Sequence, residues 1–439
     1  MLIDFSVQNY LSIKNEVTLS LIASNHRNKQ NDEIKLISVE NEKYKLLSVI
    51  GIYGPNASGK SNLIKAFADF KKLVESSHKL DLDESIPAYK PFKLDTKCII
   101  APVIFDIEFI VNDTRYLYKI EFTKNKILKE ELHFYPEGRK AKLFIRHEDR
   151  PIIYGAYFKG EKKLIERNLL PNTLFLSKAA NSSHELLVPI YRYFRDNYNI
   201  HVLMDSGAIP FHSTTFKMED AKSDYKDIVI GILNAGDLNI KDIRVEKDKK
   251  MIESLEKSFT KNNQSIPDEL RDMLIHSFSH RVDIGHSVYS DENETEEIVY
   301  FDLKNEESSG TIKMYDMAGE IIETLRKGGV LLIDEFNSGL HPHLNKFIVT
   351  LFLNSEINKK GAQLIISTHD TCVLDIDEIQ RDQIWFTDKD KYGATELFSL
   401  DEFDKNKVRN NTKYSKLYLD GRFKAIPLLD YKKFKLWDN

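Results

Sequence analysis

The clearest chemical signal in the sequence is an eight-residue motif near its beginning. Residues 54–61 are Gly-Pro-Asn-Ala-Ser-Gly-Lys-Ser and match the pattern G-x-x-x-x-G-K-[S/T] at every constrained position. Glycines in such a loop let backbone N–H groups approach phosphate oxygens, and the helix that follows adds its positive N-terminal end. We therefore predict that this loop binds the phosphates of ATP.

The predicted nucleotide-binding residues of this loop are Gly54, Pro55, Asn56, Ala57, Ser58, Gly59, Lys60 and Ser61. Lys60 is expected to reach the β- and γ-phosphates and so to act in catalysis, and the Ser61 hydroxyl is expected to ligate Mg²⁺. The context supports the motif, because the apolar run 46–53 precedes it and apolar residues at helical spacing follow Lys60.

A pair of carboxylates follows a second apolar run, at residues 330–335, Val-Leu-Leu-Ile-Asp-Glu. A buried parallel strand would place both side chains at its carboxyl end, where open α/β sheets bind ligands. Asp334 is then a candidate Mg²⁺ ligand, and Glu335 a candidate general base or water-orienting group. The alternative is that the two acids only terminate the strand before a loop.

A histidine follows a third apolar run, in Leu-Ile-Ile-Ser-Thr-His-Asp at residues 364–370. An imidazole at this place can donate to the γ-phosphate, so His369 is a candidate catalytic residue. A single histidine is more often structural, and that alternative stays open.

The elements around these motifs alternate between strands and helices. Residues 311–325 and 344–353 are predicted helices, and residues 330–333 and 363–367 are predicted strands, which is the βαβ rhythm of a parallel sheet. Residues 98–157 predict antiparallel strands, including a hairpin that turns at Asn112-Asp113. Residues 184–280 are mainly helical by period, with the clearest late helices at 251–259 and 268–278.

Composition narrows the class of protein. The chain has 439 residues, a net charge of -5 and two cysteines without metal-ligand spacing. These values argue against a surface that is basic throughout, but leave a local patch for nucleic acid open. No apolar run of membrane-spanning length and no secretory leader is evident, so we expect a cytoplasmic protein that does not cross a membrane.

The three motifs together resemble the ABC ATPases of the RecF and SMC type, in which a long insertion separates the two halves of the ATPase core. The resemblance implies an α/β ABC-type P-loop ATPase head with a mixed or parallel sheet. Residues 1–80 and 300–439 would form the core, with the antiparallel strands of residues 98–157 added to it. Residues 158–299 would form a mainly helical insertion that binds partners.

The same resemblance implies a head-to-tail homodimer, or a higher oligomer, with nucleotide between two copies. A signature loop would then lie at residues 307–311, Glu-Ser-Ser-Gly-Thr, where Ser308 and Gly310 would bind the partner's nucleotide. This segment is also typical of a turn with a helix cap. Residues 337–342 fall where the family has its D-loop, and no residue is assigned to the family's Q-loop glutamine.

A narrower likeness concerns six segments, at residues 5–12, 91–94, 307–311, 339–342, 381–386 and 421–427. These resemble the AAA-type ATPases of bacterial abortive-infection systems, of the AbiL/RloA type, to which the ATPase of the PARIS system is related. The likeness implies an antiphage ATPase that regulates a separate effector, a toxin or a nuclease. The alternatives are a RecF-like DNA-repair or DNA-binding ATPase, and a scaffold that binds nucleotide without turning it over.

Overall fold

The computed structural model describes residues 1–24, 36–39, 42–201, 213–220, 224–247, 252–254, 256–258, 279–290, 293–403 and 413–427. The chain divides into two units. Unit 1 comprises Met1–Val202, Lys327–Phe336 and Ile348–Asn439, and unit 2 comprises Leu203–Arg326 and Asn337–Phe347.

The strands and helices are numbered in chain order. The strands are β1 Leu2–Gln8, β2 Val17–Ser20, β3 Leu36–Val39, β4 Glu42–Lys45, β5 Val49–Tyr53, β6 Val103–Val111, β7 Thr114–Phe122, β8 Ile127–Phe134, β9 Ala141–His147, β10 Arg150–Tyr154, β11 Tyr198–His201, β12 Asp242–Lys247, β13 His280–Ser290, β14 Asn293–Asp302, β15 Val330–Ile333, β16 Gln363–Ser367, β17 Ile384–Lys389 and β18 Thr395–Ser399. The helices are α1 Lys60–Ser76, α2 Thr96–Ile100, α3 Lys163–Arg167, α4 Phe175–Asn181, α5 Val188–Asn197, α6 Ser213–Asp220, α7 Asp224–Ala235, α8 Ser309–Lys327, α9 Pro342–Leu353 and α10 Tyr414–Leu419.

A six-stranded sheet in unit 1 carries the predicted motifs. Its strand order is β11-β15-β16-β5-β17-β18, and every neighbouring pair is parallel except β17 and β18. All residues of β5, β15 and β16 are buried, and their largely apolar sequences are typical of parallel strands that are covered on both faces. The predicted α/β class with a mixed, mainly parallel sheet is confirmed.

The second large sheet of unit 1 is antiparallel, with seven strands in the order β10-β9-β8-β7-β6-β1-β2. The predicted hairpin is present, since β6 and β7 pair around Asn112 and Asp113, whose φ angles of 49° and 58° suit a primed two-residue turn. Helix α1 packs on this sheet, with the ring centroids of Phe5 and Phe67 only 3.7 Å apart. The P-loop helix is thereby fixed to the hydrophobic core.

Unit 1 also contains residues 158–202, whereas the sequence predicts them to lie in the insertion. The reason is β11, which pairs in parallel with β15 from Tyr198 opposite Val330 to His201 opposite Ile333. This pairing makes β11 an edge strand of the central sheet, and a four-residue strand gives little periodic signal in the sequence.

Unit 2 combines helices with a three-stranded antiparallel sheet, β12-β13-β14, that the prediction of a mainly helical insertion did not include. Unit 2 also includes residues 300–326, whereas the sequence predicts them to lie in the core. Of the predicted helix 251–259, the described residues 252–254 and 256–258 are helical. The predicted helix 268–278 lies outside the described residues.

Among the residues that the structure does describe, no helix has the length and apolar character needed to cross a membrane.

Candidate functional site

The backbone of residues 54–59 takes a conformation that requires glycine at two positions. The φ angles are 152° at Gly54 and 112° at Gly59, values that side chains rarely tolerate. A Cβ atom on Gly54 would lie 2.4 Å from the carbonyl oxygen of Thr387, and one on Gly59 would lie 2.1 Å from Thr395 Oγ1. The loop therefore wraps closely between the end of β5 and the start of α1.

Lys60 is enclosed by this loop and is only 4% exposed. Its ammonium group donates to the carbonyl oxygens of Gly54, at 2.9 Å, and Pro55, at 3.2 Å, and lies 3.0 Å from His369 Nε2. Burial lowers the pKa of Lys60, while the carboxylates of Glu335 and Asp334 act in the opposite direction. The ammonium group thus lies at the centre of the predicted catalytic residues.

Asp334 lies at the end of β15 and is held by two hydroxyl groups. Ser61 Oγ donates to Asp334 Oδ1 at 3.1 Å, and Ser367 Oγ donates to the same oxygen. The Asp334 backbone N–H donates to the His201 carbonyl oxygen at 2.8 Å, which fixes the strand end. Ser367 was not predicted as a site residue, although it lies two positions before His369 in the same motif.

The donor set of Ser61 and Asp334 fits a magnesium ion, which prefers hard oxygen ligands and is commonly held by one or two carboxylates together with substrate phosphates. Within the described part of the chain, no group of three or more His, Cys, Asp or Glu side chains is arranged to hold a metal.

Glu335 follows Asp334 with a left-handed φ of 49°, and its backbone N–H donates to Ser367 Oγ at 3.0 Å. This turn directs the chain out of the strand immediately after Asp334, the candidate magnesium ligand.

The pKa of His369 is lowered by burial and then by the charge of Lys60, and Glu335 opposes both effects. An ammonium group can only donate, so His369 Nε2 is the acceptor when Lys60 is protonated.

These groups meet in one cavity of about 620 Å³ in unit 1. Residues 56–62, Glu335, His369 and Lys389 line it. The structure thus places Lys60, Ser61, Glu335 and His369 around a common space, with Asp334 bonded to Ser61 beside it. Lys389 was not predicted as a site residue, because its segment has the sequence of a solvated hairpin turn.

A chain of hydroxyl groups from the two ends of the sequence supports the loop. Asn62 Nδ2 donates to Ser12 Oγ at 2.6 Å, and Thr395 Oγ1 donates to the Ser58 carbonyl oxygen at 2.8 Å. The 2.7 Å contact between Ser12 and Thr395 must then run from the Ser12 hydroxyl to Thr395 Oγ1, because the Thr395 proton is already used. We call Asn62, Ser12, Thr395 and the Ser58 carbonyl the loop-support chain. Nothing in its sequence spacing could have identified it.

The predicted signature loop is in unit 2, where Ser308 caps helix α8. Thr311 N donates to Ser308 Oγ at 3.1 Å, as the helix-cap alternative expected. A Cβ atom on Gly310 would lie 3.5 Å from the Gly339 carbonyl oxygen, and Lys313 Nζ donates to the Ser338 carbonyl oxygen. The predicted signature loop and the predicted D-loop are therefore neighbours within unit 2.

Among solved structures, the chain is similar to the SMC head domain from Thermotoga maritima, at 12% identity and a TM-score of 0.38 over 91% of this chain and 98% of that chain. It is also similar to the Smc head domain of Pyrococcus furiosus with an extended coiled coil bound to the C-terminal domain of ScpA, at 11% identity and a TM-score of 0.35 over 96% of this chain and 99% of that chain. Both likenesses are too distant to inform the site. No curated protein matches the chain.

A protein-family model matches residues 49–375, which is more than half of the chain and contains the P-loop, the Asp334-Glu335 pair and His369. The matched family is described as "AAA domain, putative AbiEii toxin, Type IV TA system". Since the match spans all three strand-end motifs, the chain belongs to this AAA-domain family.

Proposed function

We propose that the protein binds and hydrolyses ATP with the cavity between residues 56–62, Glu335 and His369. The observation that carries this proposal is the direct contact of residues from three strand ends. Lys60 touches His369, Ser61 touches Asp334, and Glu335 shares the Ser367 hydroxyl with Asp334. A purely structural role for these residues does not require a P-loop, two carboxylates and an imidazole around one polar cavity.

In the proposed mechanism each side chain has a separate task. Lys60 would exchange the carbonyl oxygens of Gly54 and Pro55 for phosphate oxygens, and Ser61 and Asp334 would hold Mg²⁺. The ion, when bound, supplies charge neutralisation at the phosphates. Glu335 would orient or deprotonate the attacking water, and His369 would stabilise charge on the terminal phosphoryl group.

We further propose a head-to-tail homodimer as the working state. In unit 2 the predicted signature loop and D-loop lie side by side, linked by the bond from Lys313 to the Ser338 carbonyl oxygen. A helix N-terminus beside a turn that contains glycine offers N–H donors to an anion, which would be the nucleotide on a second copy. Ser308 and Gly310 would supply this contact.

Mixing two inactive variants tests the dimer. Lys60→Ala removes the P-loop cation, and Ser308→Arg blocks the signature loop, so each variant alone should not hydrolyse ATP. In an equimolar mixture, half of the dimers would combine the two variants and have one intact composite site. Hydrolysis should return to about a quarter of the wild-type rate. A mixture that stays inactive although both variants associate would contradict the head-to-tail arrangement.

The family description refers to a toxin–antitoxin system, which supports a role of the chain in a defence system. We propose that the chain is the regulatory ATPase of such an antiphage system. Copurification with the product of a neighbouring gene would test this role. A protein that purifies alone and whose ATP hydrolysis rises with DNA ends would instead favour the RecF-like alternative.

A further inference from the structure

We propose that Lys389 binds the phosphate group nearest the nucleoside and so provides a second cation for the nucleotide, on the opposite side of the P-loop from Glu335 and His369. This inference rests on the proposed function, because it assigns a residue of the same cavity. Lys389 is exposed, and its ammonium group has no hydrogen-bond or ion-pair partner among the described residues. It nevertheless lines the cavity together with residues 56–62.

The strand order gives the cavity two different sides. In the sheet, β15 and β16 lie on one side of β5, and β17 lies on the other. Asp334, Glu335 and His369 follow β15 and β16, whereas Lys389 is the last residue of β17. If the terminal phosphoryl group lies at Glu335 and His369, the other side of the same cavity, next to the end of β17, is available to the nucleoside end of the ligand.

The pleat of β17 directs Lys389 to the loop. Thr387 lies on the loop side of the strand, since its hydroxyl is 2.6 Å from Ser58 Oγ. Successive side chains alternate between the two faces of a strand, so Lys389 projects to the same face as Thr387, about 7 Å farther along. Lys389 also pairs with Thr395, whose hydroxyl donates to the Ser58 carbonyl oxygen. The β17–β18 hairpin is thus anchored to the loop directly beside Lys389.

The charges of the cavity make this role specific. Lys60 is enclosed by loop carbonyl oxygens and faces His369, on the side of the proposed hydrolytic residues. Lys389 is the other lysine in the lining, and its ammonium group can form a charge-assisted hydrogen bond with a phosphate oxygen that reaches it. The phosphate nearest the nucleoside is present in both ATP and ADP. A contact with this phosphate should therefore strengthen the binding of ATP and of ADP equally.

Calorimetric titration of the full-length protein with ATP and with ADP, each with Mg²⁺, tests the assignment. Lys389→Gln should weaken the binding of ATP and the binding of ADP by the same factor, about tenfold. Lys389→Arg should restore most of the affinity, because it keeps the charge. The matched control is Lys391→Gln, since Lys391 is exposed in the same hairpin but packs over the Tyr392 ring at 4.8 Å. This control should bind like the wild type.

Wild-type affinity of Lys389→Gln for both nucleotides would overturn the assignment, as would a loss confined to ATP, which would indicate a contact with the terminal phosphate. An exposed position should tolerate both substitutions, and unchanged thermal unfolding of Lys389→Arg verifies that the fold is intact. A wild-type protein that binds neither nucleotide would contradict the proposed function itself, so the two failures are distinguishable.

Discussion

The ammonium group of Lys60 lies 3.0 Å from the imidazole Nε2 of His369, although the two residues are 309 positions apart in the chain. The contact joins the P-loop at the end of β5 to the end of β16, and these two strands are direct neighbours in the sheet. It connects the two motifs directly.

Lys60→Ala should abolish nucleotide binding, because it removes the cation that the loop encloses. For the wild type, ATP at a hundredfold excess over its dissociation constant should stabilise the folded state by about 2.7 kcal/mol. A thermal-shift assay with and without ATP and Mg²⁺ measures this effect, which the variant should lose. Lys72→Ala, an exposed lysine on the same helix, is the control and should keep the full shift. An undiminished shift in Lys60→Ala would refute the role of Lys60.

Glu335→Gln should bind ATP but hydrolyse it at least about 100-fold more slowly, since an amide cannot accept a proton from water. The backbone N–H of Glu335, rather than its side chain, holds the turn to Ser367, so the substitution should leave the turn in place. Phosphate release gives the rate, and a sizing column with ATP should show an accumulated dimer. Glu396→Gln, at an exposed position of β18, should behave like the wild type. Equal rates for Glu335→Gln and the wild type would favour the scaffold alternative.

His369 should make the stability of the nucleotide-free protein depend on pH. Burial and the charge of Lys60 lower the pKa of His369 in the folded state below its ordinary value of about 6.5. Between the two pKa values the unfolded chain binds more protons than the folded one. The contribution of His369 is therefore fully present above about pH 6.5 and is lost as the pH falls through the folded pKa.

His369→Gln should consequently reduce the decrease in unfolding temperature between pH 7.5 and pH 5. The comparison is with the wild type and with His343→Gln, an exposed histidine that should not change the pH profile. Identical profiles for the His369 variant and the wild type would mean that this histidine is not held neutral beside Lys60.

Thr395→Val should destabilise unit 1 by about 1–3 kcal/mol, because it leaves the Ser58 carbonyl oxygen and the Ser12 hydroxyl without their partner in a buried place. It should also weaken ATP binding, since the loop-support chain fixes the backbone around Gly59. Urea unfolding and nucleotide titration measure the two effects. Thr114→Val, in the β6–β7 hairpin, should cost less than about 0.5 kcal/mol. If both variants behave alike, the loop-support chain does not position the P-loop.

The sequence by itself determined the local chemistry of the site. The P-loop pattern at residues 54–61, the acids after β15 and the histidine after β16 each follow a fully buried apolar run. Such runs specify parallel strands, and parallel strands deliver the residues that follow them to one edge of the sheet. For this reason the sequence alone was enough to predict four residues of the candidate site, Lys60, Asp334, Glu335 and His369.

Only the tertiary structure decided what surrounds these residues. Ser12 and Thr395 are 383 positions apart and meet because β17 pairs with β5 and β18 pairs with β17, a strand order that periodicity cannot specify. The same order places Lys389 beside the P-loop and opposite the strands that carry Glu335 and His369. Side-chain periodicity reports which face of a strand is buried, whereas the neighbours of that strand depend on the packing of the whole unit.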